Sequence, residues 1–211
     1  MKAVSVVVFI ALCGPALSEP RVVDGDTLEI DGTIYRLNGI DAPEHGQLYG
    51  SWACGSDATA ELVEIVKEHD ITCDALGQDG FDRTIATCYA DGTDIGASMI
   101  DKGMAWAFVR YSDAYVDVET AARERRRGVF SGDYTAPWDY RSLRWTAALA
   151  DEDDAPEGCP IKGNISKNGH IYHPPWSPWY AKTRINLSEG ERWFCSEAEA
   201  VAAGWRAPRW N

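Results

Sequence analysis

The stretch from Val23 to Glu44 constrains this chain more than any other, because two Asp-Gly pairs, Asp24-Gly25 and Asp31-Gly32, punctuate short runs of β-type alternation. Leu28 and Ile30 alternate with Thr27 and Glu29, and Tyr35 and Leu37 with Ile34, Arg36 and Asn38. Each strand of the predicted hairpin therefore offers one apolar and one more polar face. Four acidic side chains, Asp24, Asp26, Asp41 and Glu44, fall at loop ends, and Arg36 points away from the side that buries Leu37. A carboxylate at the first turn and two more after the second strand can converge on a hard, oxygen-seeking cation such as Ca²⁺. An arginine beside that cation suggests a phosphate.

Beyond the hairpin, residues 45–53 read as a loop, and Ala58, Leu62, Ile65, Val66 and His69 recur at helical spacing from a start near Ser56 or Asp57. Ile71–Ala75 and Thr84–Ala90 are predicted strands, joined by a polar loop that ends at Arg83. Cys73 and Cys88 lie on opposite arms of this second hairpin, where a cross-strand disulfide is compatible with the spacing although spacing alone does not set connectivity. Asp94–Gly103 reads as a short helix stopped by glycine, followed by an apolar strand over Met104–Val109. Val116–Gly128 reads as an amphipathic helix whose Arg123, Arg125, Arg126 and Arg127 form the one basic cluster. A solvated helix end favoured by the dipole accounts for that cluster better than a nucleic-acid contact.

At 211 residues the chain can bury one core and carry a small appendage. Residues 1–18, with Lys2, the apolar run Val4–Cys13 and small residues at Ala16 and Ser18, have the pattern of a signal peptide, which predicts a secreted or periplasmic protein with no stable membrane insertion after cleavage. In that compartment the five remaining cysteines are disulfide candidates, with Cys54 the odd one. The net charge of -13 argues against nucleic-acid binding through a broad basic surface, so any phosphate chemistry must be local and metal-assisted. Residues 147–158 form an acidic linker between a domain over 19–146 and a small module over 159–211. Fifty-odd residues need a staple, and a disulfide between Cys159 and Cys195 fits an oxidised compartment better than zinc on Cys159, His170, His173 and Cys195.

Taken together, VDGDT (Val23–Thr27), RLNGIDAPE (Arg36–Glu44), GFDR (Gly80–Arg83) leading into ATCYADG, the Gly103-Met-Ala-Trp-Ala run and YSDAY (Tyr111–Tyr115) resemble the staphylococcal-nuclease-like, or thermonuclease, family over about residues 21–138. The resemblance implies an α+β fold with a mainly β core: an OB-type five-stranded β-barrel with three helices. It implies Ca²⁺-dependent hydrolysis of phosphodiester bonds in DNA and RNA, with Asp26, Asp41 and the backbone carbonyl of Ala42 on the ion. Glu44 then falls on the residue that activates or positions water, and Arg36 and Arg83 on the two phosphate-facing arginines. Gly80-Phe81-Asp82 departs from the basic-tyrosine-glycine run of many relatives, and a lysine-bearing loop before the first helix is missing. Physical chemistry agrees with the roles, since attack on a phosphodiester builds negative charge that fixed cations stabilise. Tyr111 either stacks on a nucleotide or caps the core edge. A monomer is expected. The C-terminal stretches IKGNIS, IYH, GERWFCSEAEA and AGWR resemble the small sunset-type module of exported bacterial proteins, which leaves room for envelope contact. The rival reading is a non-catalytic OB-type protein that binds nucleic acid or polysaccharide.

Overall fold

Strand β1 (Arg21–Asp24) pairs antiparallel with β2 (Thr27–Ile30), which turns back into β3 (Thr33–Leu37). The second turn is Asp31-Gly32, with φ of 50° and 80°. Two successive positive φ values match the twist of a two-residue hairpin, which is why Asp-Gly serves there. This computed structural model describes residues 20–152 and 154–209, so the expected signal peptide at 1–18 lies outside the described residues. The short β4 (Ile40–Asp41) follows, and then helix α1 (Cys54–Val66), which buries Ala58, Leu62 and Val66 at i, i+4 and i+8. A side chain such as Leu62, wholly removed from solvent, contributes about 1.5–3 kcal/mol.

Strands β5 (Ile71–Gln78) and β6 (Thr84–Ala90) form the second hairpin, and β7 (Thr93–Asp94) folds back on β6 through Asp91-Gly92, again with positive φ at both residues. Cys73 and Cys88 stand directly opposite in the register and are bonded to each other. Helix α2 (Ile95–Asp101) is capped by the Asp94 carboxylate, which accepts from Ala97 N at 2.9 Å. The strand expected over Met104–Val109 is reduced to β8 (Trp106–Ala107), paired with β4. Helix α3 (Val116–Glu124) ends before Gly128, and three arginines of the cluster at its end form ion pairs, Arg123 with Glu119 and both Arg125 and Arg127 with Asp101.

The main sheet runs β1-β2-β3-β6-β5, with β3 and β6 parallel and β7 hung on β6. Five strands in that path agree in number with the expected barrel, but no ladder among the described residues joins β1 to β5, so the architecture is α+β with a sheet-rich core. Leu28, Leu37, Leu62, Met99 and Ile100 meet at its centre.

Helix α4 (Pro137–Asp151) was not anticipated. Its signal is Pro137 in the first turn and Trp138, Trp145 and Ala148 at helical spacing, diluted by polar neighbours. The helix runs to Asp151, through the first residues of the stretch expected to be a linker, because Trp145 packs into the C-terminal core. Strands β9 (Ile161–Ser166), β10 (Gly169–His173) and β11 (Arg192–Phe194) make a three-stranded sheet in the order β10-β9-β11, covered by α5 (Glu197–Ala202). Ile161, Tyr172, Phe194 and Ala200 form its core. Cys159 and Cys195 are disulfide-bonded, while His173 hydrogen-bonds Ser177 and Asn164 and His170 stacks on Trp205, so the staple is the disulfide. Among the described residues, Cys54 is the free cysteine, and it is buried.

Candidate active site

The opening hairpin delivers its charged residues to one point because Arg36 is pinned from two sides. Its Nη1 donates to the carbonyls of Leu37 and Ile40, both at 2.9 Å. Its Nη2 lies 3.0 Å from Asp26 Oδ2 and 3.1 Å from Asp41 Oδ1. Those two carboxylate oxygens therefore converge on a single nitrogen. Asp26 is further fixed by Ala42 N, which donates to Oδ2 at 3.0 Å, and by the Thr27 hydroxyl, which donates to Oδ1 at 3.0 Å. Burial works to raise the Asp26 pKa, yet Arg36, the Ala42 N–H and Asp24 together hold it below the ordinary carboxylate value. Asp24 takes the opposite course: burial and the neighbouring Asp26 charge raise its pKa to about 7.

Glu44 is held through its backbone. Its carbonyl accepts from Gln47 N at 2.7 Å and its N–H donates to Gln47 Oε1 at 3.1 Å, with Gln47 wholly buried. The same carbonyl lies against Gly55 in the first turn of α1, so closely that a Cβ there would sit 1.7 Å from the oxygen. Glycine is required by that approach. Burial pushes the Glu44 carboxyl up to about 8, against the pull of Arg141.

Arg83 reaches the same cleft from the β5–β6 loop. Its Nε donates to Asp79 Oδ2 at 2.8 Å, and its guanidinium lies 5.1 Å from the Phe81 ring. Asp79 in turn accepts from the backbone N–H groups of Phe81 and Arg83, which shapes the loop. The GFDR departure thus supplies an aromatic platform for the arginine. Tyr111 lies at the cleft wall, 68% exposed and edge-on to Phe108, whereas Tyr115 is buried and its hydroxyl donates to Asp94. Asp26, Arg36, Asp41, Glu44 and Arg83 all line one cleft of about 880 Å³.

Two contributors were missed. Arg141, on α4, donates from Nη2 to Asp41 Oδ2 at 2.7 Å and from Nη1 to Asp41 Oδ1 at 3.2 Å and Glu44 Oε1 at 2.7 Å. Burial raises the Asp41 pKa, opposed first by Arg141 and then by Arg36. Glu197, on α5, lines the far wall with Tyr172. Its pKa is also raised by burial, with Arg83 opposing. No local signal marks Arg141 or Glu197, since each is an ordinary charged residue on a helix.

Hard oxygen donors that converge from Asp26 and Asp41 fit a divalent cation by type. As the side chains stand, both oxygens of Asp41 and one of Glu44 are bonded to Arg141, and no cluster of three or more His, Cys, Asp or Glu poised for a metal ion occurs among the described residues.

Residues 34–132 match the family model described as staphylococcal nuclease homologue, and residues 142–207 match one described as ArfC. An uncharacterized endonuclease of Escherichia coli O157:H7 is 33% identical over 129 residues, 57% of this chain and 81% of that protein. A micrococcal nuclease of Shigella flexneri is 31% identical over 164 residues, 67% and 91% of the two chains. The succinoglycan biosynthesis protein ExoI of Rhizobium meliloti is 34% identical over 98 residues, 43% of this chain and 51% of its own. With the hairpin carboxylates, both arginines and this extent of similarity in agreement, the chain belongs to the staphylococcal-nuclease-like family.

Proposed function

We propose that this protein is an exported, Ca²⁺-dependent nuclease that hydrolyses phosphodiester bonds of DNA and RNA. The observation that carries the reading is the convergence of Asp26, Arg36, Asp41, Glu44 and Arg83 on one cleft. Asp26, Asp41 and the Ala42 carbonyl would hold the cation, which when bound supplies positive charge beside the phosphate.

The chain's own residues account for the rest. Glu44 removes a proton from water or orients it as the oxygen attacks phosphorus, and the bond from phosphorus to the leaving sugar oxygen breaks, that oxygen taking up a proton from solvent. Negative charge accumulates on the phosphoryl oxygens, where Arg83, the more exposed of the two arginines at 27% side-chain exposure, can grip them. Arg36, 14% exposed, presents a rigid guanidinium already locked by two backbone carbonyls. Charge fixed in advance lowers the barrier because no reorganisation is needed as the transition state forms. A net charge of -13 favours local recognition of a flexible strand over broad electrostatic capture of a duplex.

Export is supported by two disulfides, which persist in oxidising compartments. No helix among the described residues is long and apolar enough to cross a membrane.

The test is hydrolysis of single-stranded DNA and of RNA by the chain from Glu19, with Ca²⁺ and with chelator, beside Glu44→Ser. Cutting that requires Ca²⁺ and falls about a hundredfold or more in the variant is the expected result. Absence of cutting by the folded protein would overturn the reading in favour of a binding module.

A further inference from the structure

We infer that Arg141 sets the affinity of this site for a divalent cation, by holding with its guanidinium the Asp41 carboxylate that the cation would otherwise claim, together with Glu44 beside it. The inference rests on the Ca²⁺-dependent reading above and deepens it.

Asp41 is 1% exposed at its side chain, and both its oxygens accept from Arg141, at 2.7 and 3.2 Å. Glu44 Oε1 accepts from the same guanidinium at 2.7 Å. A planar fork that spans two carboxylates satisfies them by charge and by direction at once. A cation taken up by Asp26 and Asp41 must therefore displace Arg141 from Asp41 or share that carboxylate with it, and like charges at such spacing repel.

Arg141 is not a wandering surface side chain. Three residues before it, Trp138 stacks on Phe108 with ring centres 5.2 Å apart and planes 2° from parallel. Four residues after it, Trp145 packs into the C-terminal core, and Arg144 Nε donates to the Pro175 carbonyl at 3.2 Å. Helix α4 is thus gripped by the nuclease-like core at one end and by the disulfide-stapled module at the other. The guanidinium it presents is positioned by both, so the C-terminal module influences the cation site without touching the cation. Arg141 is in this sense a positioning residue. It lies beyond the stretch that matches the nuclease family model.

The experiment is calorimetric titration of CaCl₂ into the nucleic-acid-free chain, its Arg141→Gln variant and its Arg141→Lys variant, with circular dichroism to establish folding. Binding at least tenfold tighter in Arg141→Gln, with Arg141→Lys between it and the wild type, is expected, because lysine keeps the charge and loses the fork. Ca²⁺ should also raise the melting temperature of Arg141→Gln more than that of the wild type. Binding that is equal or weaker in Arg141→Gln than in a wild type that does bind overturns the inference and leaves the nuclease reading intact. Absence of binding in all three folded chains overturns the calcium reading and the inference with it. If Arg141→Gln does not fold, Arg141→Lys decides: tighter binding than wild type supports the role, and equal or weaker binding overturns it.

Discussion

Arg36 and Arg83 carry the same proposed charge to the same cleft, yet the structure predicts that their removal fails in different ways. Arg36 is 14% exposed and contacts two buried carboxylates, Asp26 and Asp41, besides the carbonyls of Leu37 and Ile40. Arg36→Ala takes the guanidinium from Asp26 and leaves Asp41 with Arg141 alone, and breaking a buried pair from one side costs about 3–5 kcal/mol. Arg83 pairs with Asp79 at partial exposure, 27% and 15% for the two side chains, and packs on the Phe81 ring. A partly exposed pair contributes about 0.2–1 kcal/mol and a cation–ring contact about 0.5–1 kcal/mol, so Arg83→Ala should lose about 1–2 kcal/mol in all. Both variants, measured where each is fully folded, should lose about a hundredfold in turnover on single-stranded DNA. Urea unfolding followed by circular dichroism reads the first quantity and initial rates the second. A loss below about 1 kcal/mol for Arg36→Ala, or above about 3 kcal/mol for Arg83→Ala, would refute the division between a structural anchor and a more exposed arginine proposed to meet the phosphate.

Three further outcomes follow from the same geometry. With the Glu44 carboxyl raised to about 8 by burial in the cation-free chain, turnover should climb with pH as that carboxyl loses its proton and then level, and Glu44→Gln should lose the climbing limb. The stability sign is opposite. A carboxyl at about 4.5 unfolded and about 8 folded binds more protons in the native state between those values, so its contribution is full below about 4.5 and is lost as pH rises through about 8. Glu44→Gln, which mimics the protonated acid, should therefore gain on wild type in cation-free urea unfolding between pH 6 and 9; no change in the difference would sink the assignment. Gly55→Ala would place a methyl group 1.7 Å from the Glu44 carbonyl oxygen, so it should cost about 1–3 kcal/mol or more and depress turnover by shifting Glu44. Gly77→Ala, which meets open space, is the control; equal behaviour of the two variants would count against a packed Glu44 backbone.

The hairpin and its charges were legible from residue order because the forces that form them are local. Asp31-Gly32 adopts positive φ at both positions, Leu28 and Leu37 turn inward by alternation, and Asp26, Arg36 and Asp41 follow within sixteen residues of one another. Cys73 and Cys88 face each other for the same reason, as opposite residues of one hairpin. Residue order said less about α4, where polar side chains dilute the Trp138–Trp145–Ala148 stripe and the acidic run beyond reads as a linker. Arg141 could not be read at all. Its partners lie 97 and 100 residues away, and the contact exists only because α4 is gripped by two cores, one through Trp138 and one through Trp145. Turn chemistry and side-chain alternation act over a few residues and are written in the chain itself, whereas the meeting of a distant guanidinium with buried carboxylates is decided by how packed surfaces dock.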